Sequence, residues 1–128
     1  MLELKEKSSE KYYKDEEETI LRSIFFEVNI MKCNEKIGYY EVFETYDDDE
    51  DFSSAYVKSI GIREEYRNRG YGTNVLKQLA EKYGEIYLCP ENDQCKHLYD
   101  RLGELTEKYP DEMQCEVDTY GEVYVIEG

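Results

Sequence analysis

Apolar positions in the first half of the chain alternate and do not recur at helical spacing. Leu2-Glu3-Leu4-Lys5 alternates like a short strand. From Ile20 to Met31 β-branched and aromatic residues concentrate, with Ile24, Phe26, Val28 and Ile30 on one side. Cys33-Asn34-Glu35-Lys36 is turn-like. Ile37 to Tyr46 then gives a second strand through Tyr39, Tyr40, Val42 and Phe43. The two runs predict a β-hairpin. Residues 7–18 are almost all charged or polar. They fit a solvated turn of helix or a loose connection, with room for one short helix at most.

Asp47-Asp48-Asp49-Glu50-Asp51 interrupts the sheet, because adjacent carboxylates repel and stay solvated. The run lacks the spacing and glycine of a calcium loop. Ala55 to Ile62 is a further strand. A glycine-containing loop, Arg63 to Gly72, leads into a helix. Val75, Leu76, Leu79, Ala80 and Tyr83 form its apolar face, and Gly84 its stop. Ile86-Tyr87-Leu88-Cys89 suits a buried parallel strand, which Pro90 ends. Asn92 can cap a second helix with Cys95, Leu98, Tyr99 and Leu102 inside. Val117 and the run Val123 to Ile126 predict two closing strands around Asp118-Thr119-Tyr120-Gly121. With no repeat and no linker, the expectation is one α+β domain over residues 1–128.

The chain of 128 residues is long enough to bury a core without staples. No apolar run is long enough to span a membrane, and the N-terminus lacks a signal-peptide plan. The net charge of −15 argues against non-specific nucleic-acid binding and suits a cationic partner. It also suits simple solubility. Cys33, Cys89, Cys95 and Cys115 form no C-x-x-C pair, and His97 is the sole histidine. That gives no zinc pattern and predicts reduced thiols in a cytoplasm, with no metal.

The chemistry concentrates at Arg67-Asn68-Arg69-Gly70-Tyr71-Gly72-Thr73, directly before the first helix. A helix start offers unpaired N–H groups and a positive dipole end. Gly70 and Gly72 permit close approach, and Arg67 and Arg69 add charge-assisted donors. The segment is an anion-site candidate, or a tight connection whose glycines serve only the turn. It does not fit a Walker loop. Nor does it fit the dinucleotide pattern, whose third glycine is replaced by Val75.

Two motifs in order make the chain resemble the GNAT N-acetyltransferase family. The family's cofactor loop is R/Q-x-x-G-x-G/A after an apolar strand, matched by Ile60-Gly61-Ile62 and Arg67-x-x-Gly70-x-Gly72. Its second motif, N-x-x-A-x-x-L-Y-x-x-x-G, is matched from Asn92 to Gly103, with Cys95 for the alanine. The resemblance implies a mixed, mostly antiparallel sheet with flanking helices and a shortened N-terminal helical region. It also implies acetyl-CoA as co-substrate and acetyl transfer to an amine. Backbone of Ile60 and Ile62 would pair with the pantetheine arm. Amides from Asn68 to Thr73, Tyr71 included, would cradle the pyrophosphate. Asn92 would touch the pantetheine, and Tyr99 would act as general acid on the thiolate. Alternatives for the last two are an N-cap and core packing.

The chain also departs from the family. Tyr56 stands where histone-directed members carry a glutamate base, so the base is elsewhere, such as Glu41 or Glu44, or is a chain of waters. The helices that usually wall the acceptor site are shortened, and Glu104 replaces an aromatic residue. The partners expected are acetyl-CoA and an amine acceptor, with neither nucleic acid nor membrane and a homodimer left open. Two other functions remain: a module that holds acyl-CoA without turnover, and an acidic mimic of nucleic acid.

Overall fold

A computed structural model describes residues 2–16, 19–47 and 51–128. Seven strands form one sheet in the order β1-β2-β3-β4-β5-β7-β6. Strands β1 (Glu3–Glu16), β2 (Thr19–Lys32), β3 (Glu35–Tyr46) and β4 (Phe52–Ile62) form an antiparallel meander. Helix α1 (Tyr71–Tyr83) crosses over to β5 (Glu85–Leu88), which runs parallel to β4. Then come α2 (Asp93–Leu102), β6 (Glu104–Leu105), α3 (Gln114–Tyr120) and β7 (Tyr124–Glu127). The last strand inserts between β5 and β6, antiparallel to both. This is the mixed, mostly antiparallel α+β architecture that the sequence implies. Among the described residues no helix is long and apolar enough to cross a membrane.

The described part of 7–18 forms no helix. It extends β1, which pairs with β2 from Glu3↔Met31 to Glu16↔Thr19. Composition hides this strand because residues 7–16 are almost all charged or polar and show no apolar alternation. Its register is set at Leu2, buried in the core, and Leu4, packed against it. The middle of the acidic run, 48–50, lies outside the described residues. Asp47 and Asp51 meet on either side of it, with the Asp47 N–H donating to the Asp51 carbonyl at 2.9 Å.

Val117 corrects the expected closing strand: it lies in α3. Met113 and Val117 are four apart and share one apolar cluster with Tyr56, Cys89 and Val123, a helical spacing. Gly121, at φ +83°, ends that helix by donating to the Val117 carbonyl at 2.7 Å. The strand that precedes β7 in the sheet's C-terminal end is β6.

The main core lies between the sheet and α1. Val75, Leu76, Leu79 and Ala80 meet Val28, Ile30, Val42, Val57 and Ile86 there. These are the apolar positions predicted for the helix, and Gly84 closes it at φ +84°.

Candidate active site

Strand β4 carries an irregularity that opens the sheet. Val57 pairs with Val42 and Ser59 with Glu41, so Lys58 is an extra residue, a β-bulge. On the other side, β4 meets β5 only at Tyr56↔Tyr87 and Val57↔Leu88. Beyond the bulge β4 keeps β3 on one edge and, among the described residues, has no strand on the other.

Register decides which backbone groups face that open edge. The Arg63 N–H donates to the Ile37 carbonyl at 2.7 Å. That makes Gly38↔Ile62 a non-hydrogen-bonded pair, and Tyr40↔Ile60, two residues along, repeats it. The N–H and C=O of Ile60 and Ile62 therefore point away from β3 and into the gap. The Ile62 carbonyl accepts from Arg67 Nε at 2.9 Å.

After a turn of 3₁₀ helix at Glu64–Tyr66 the loop climbs to α1. Asn68 (φ +63°) and Gly70 (φ +81°) take left-handed conformations. Asparagine tolerates that region better than most residues, and glycine takes it at no steric cost. Gly70 is the N-cap of α1 and makes no side-chain cap. The first intrahelical bond runs from the Asn74 N–H to the Gly70 carbonyl at 3.0 Å. The amides of Tyr71, Gly72 and Thr73 thus have no intrahelical acceptor.

These amides open on a cleft of about 390 Å³ between the loop, α1 and α2. Arg67, Asn68, Gly70, Tyr71, Gly72 and Thr73 all border it. Arg69 is not among the lining residues; its guanidinium lies 5.7 Å from the Tyr66 ring centroid. The Lys32 ammonium bonds to the Tyr71 hydroxyl, which with Arg69 lowers that phenol's pKa. The sequence reading missed the opposite wall: Gln94, His97, Leu98 and Arg101 of α2. Their spacing of three, four and seven was the available signal, since it marks one helical face. Two arginines and a histidine around a cleft in so acidic a protein make a local basic site.

Asn92 is the N-cap of α2, and its Oδ1 accepts from the Cys95 N–H at 2.9 Å. Tyr99 faces inward and is 4% exposed. Its ring meets Tyr124 edge-on at 5.9 Å. Asn92 and Tyr99 are seven residues apart, two helical turns, a spacing that predicts one shared face, yet Asn92 is exposed and Tyr99 buried. Burial, and then the neighbouring Cys95, Glu91 and Cys89, push the Tyr99 phenol well above the usual range. The phenol is in its neutral form at ordinary pH. The Tyr56 phenol is likewise raised, by burial and by Glu116 and Glu112. Buried and stacked on Phe43 at 4.9 Å, Tyr56 offers a phenol where a carboxylate base would stand.

The two carboxylates considered in its place lie on opposite sheet faces. Glu44 is 7% exposed and accepts from Tyr46 at 2.6 Å and Tyr83 at 2.5 Å, one phenol on each oxygen. Glu41 accepts from the Ser59 hydroxyl beside the bulge. Among the described residues no group of three His, Cys, Asp or Glu side chains is arranged to hold a metal.

A model of the Acetyltransferase (GNAT) family matches residues 2–103, a span that contains β4, the bulge, the loop and both cleft helices. The chain belongs to that family. As a GNAT chain it has its relatives among solved structures. A GNAT acetyltransferase from Elizabethkingia anophelis with acetyl-CoA bound superposes with a TM-score of 0.57 at 18% identity, covering 81% of this chain and 76% of that one. An Arabidopsis thaliana protein in complex with the bisubstrate analogue CoA-Ac-MVNAL gives 0.51 at 18%, covering 80% and 71%. The KacTA–DNA complex gives 0.56 at 10%, covering 80% and 67%. At these identities the likeness is one of fold. No curated protein matches the sequence significantly.

Proposed function

We propose that this GNAT chain transfers acetyl from acetyl-CoA to a primary amine of a cationic acceptor. One observation carries the proposal: the unpaired edge of β4, with Ile60 and Ile62 facing it, leads directly to the uncapped start of α1. An extended pantetheine arm supplies the hydrogen bonds that a neighbouring strand would, and its diphosphate meets the amides from Asn68 to Thr73. Arg67 and Arg101 add positive charge at the cleft. The Asn92 side-chain oxygen is committed to its cap, which leaves its amide NH2 as the donor for the pantetheine.

The chemistry follows from the acceptor's pKa. An alkylamine with a pKa of about 10.4 arrives as the ammonium and must first lose a proton. Its nitrogen then attacks the thioester carbonyl carbon, the C–S bond breaks, and the nitrogen loses a second proton. Tyr99 gives its proton to the departing thiolate and is reprotonated. The sum is ammonium plus acetyl-CoA giving amide, CoA thiol and one proton. With Glu44 held by two phenols, Glu41 or water takes the first proton. We assign the reaction to the cytoplasm, a reading that the four free thiols support.

Tyr56 in the position of a base favours a second reading, a module that holds acyl-CoA without turnover. Titration with acetyl-CoA by calorimetry, followed by thiol release across an amine panel, tests both. Binding with release on an amine supports the enzyme. Binding without release on any amine overturns it in favour of the module, and no binding overturns both.

A further inference from the structure

The sheet face opposite α1 carries a feature that the acetyl-transfer reading has not used. Phe25 pairs with Phe43, Phe43 with Tyr56, and Tyr56 with Tyr87. Directly paired residues share a face, so one aromatic row crosses four adjacent strands. Phe25 and Phe43 have centroids 4.7 Å apart, and Phe43 and Tyr56 stack at 4.9 Å. At the β5 end Tyr56 and Tyr87 pack under Cys89, Met113 and Val117. At the β2 end Phe25 and Phe43 are half-buried.

One step along the strands, Glu27 stands directly opposite Glu41. Like charges in that position repel unless a cation lies with them. Lys7 reaches Glu27 only at 3.8 Å, an exposed contact worth little. A cleft of about 250 Å³ opens beside the pair, with Tyr39, Lys7 and Lys36 also on its walls. An independent observation says what this face accepts. The ammonium of Lys58, the bulged residue, lies 5.8 Å from the Phe25 ring centroid. The protein's own alkyl ammonium already rests on the row, as the negative face of an aromatic ring favours.

Resting on the acetyl-transfer reading, we propose that this face is the acceptor subsite and that the acceptor is a small aliphatic amine with at least two ammonium groups. The amine that reacts must be neutral, so carboxylates that keep a cation bound must hold a different nitrogen of the same molecule. Glu41 is tied to Ser59, and the next residue, Ile60, faces the gap on β4. One end of a short chain can therefore lie at Glu27 and Glu41 while the other reaches the thioester. The cleft is smaller than the ~300 Å³ lower bound of drug-sized pockets, which suits an alkyl chain. The net charge of −15 draws polycations in. Glu41 cannot hold an ion pair and also take the reacting proton, so that proton leaves through water.

The test uses the full chain with spermidine and butylamine as probes. Calorimetry of spermidine alone should show binding, and Glu27→Gln should weaken it about tenfold through loss of one charge-assisted contact. With saturating acetyl-CoA, kcat/KM for spermidine should exceed that for butylamine at least about tenfold. Glu27→Gln and Glu41→Gln should shrink that ratio, whereas a purely structural role lowers both amines alike. Glu27 has a side chain 39% exposed, so its variant should fold even if the Glu41 variant does not. Absent spermidine binding, a ratio near one, a ratio untouched by Glu27→Gln, or turnover on peptide amines only would each overturn the subsite. Failure of acetyl-CoA to bind in a separate titration overturns the acetyl-transfer reading instead.

Discussion

Arg67 Nε donates to the carbonyl of Ile62, at 2.9 Å, so the first residue of the cofactor motif is fastened to the end of the strand it follows. The bond spans the 3₁₀ turn and fixes the loop's height above the open edge of β4. Arg67 thus has two tasks: its Nε shapes the loop, and the rest of the guanidinium faces the cleft. Arg67→Ala should weaken acetyl-CoA binding by about tenfold, the scale of one charge-assisted hydrogen bond. Arg67→Lys restores charge without the planar fork and should recover only part of it. Calorimetry giving equal affinity for all three proteins would remove Arg67 from the site.

Gly70→Ala should act through the backbone. A Cβ there meets nothing within 4 Å, yet φ is +81°. Alanine in that region costs about 1 kcal/mol, which lowers the melting temperature by roughly 4 °C. Gly70→Asn should recover most of the stability, because asparagine tolerates left-handed angles. If acetyl-CoA affinity stays low in the asparagine variant, the side chain is crowding the diphosphate. If it returns, strain alone was at work.

Tyr99→Phe should lower kcat by ~100-fold and leave acetyl-CoA affinity unchanged. Because the phenol's pKa is raised, activity should not fall near pH 10, where an ordinary tyrosine ionises. A kcat within about twofold of the parent would make Tyr99 a core residue and assign the proton to water.

The tyrosines around Glu44 set an alkaline limit on stability. Burial, followed by the Glu44 charge, pushes Tyr40 up to about 12. Burial and the Glu44 hydrogen bond do the same for Tyr46. In the unfolded chain both ionise near 10. The folded state therefore binds these protons more tightly. Its advantage is complete below pH 10 and is lost as pH rises toward 12. Thermal melts from pH 8 to 11.5 should be flat at first and then decline. In Glu44→Gln the decline should be shallower. A decline beginning well below pH 9 would point to other groups.

What could be read from residues alone was what local chemistry dictates. Helix α1 was legible because Val75, Leu76, Leu79 and Ala80 keep a 3.6-residue spacing between two glycines with positive φ. Asn92 was legible as a cap for the same local reason. The bulge at Lys58 was not, because it exists only in register with β3. Strand β1 was hidden because its charged and polar residues carry no apolar alternation, and only the pairing with β2 marks it as a strand. Arg101 and His97 were hidden because a polar stripe on a helix usually faces water, and only the placement of α1 turns this one into a wall. Val117 misled because a lone valine between Glu116 and Asp118 fits strand and helix equally until Gly121 fixes the end.

The two-pair junction between β4 and β5 divides the molecule into parts that assemble differently. The four-stranded meander closes through neighbouring hairpins, whose contacts are short in sequence and quick to form. The parallel seam needs the whole of α1 as a crossover before Tyr56 and Val57 can find Tyr87 and Leu88. If the proposed coenzyme arm lies along β4 past that seam, it would act as a missing length of strand and stitch the halves together. Occupancy then shows as cooperativity. Amides of β4 beyond Val57 and of β5 should exchange hydrogen as separate units in the free protein and as one unit in the complex.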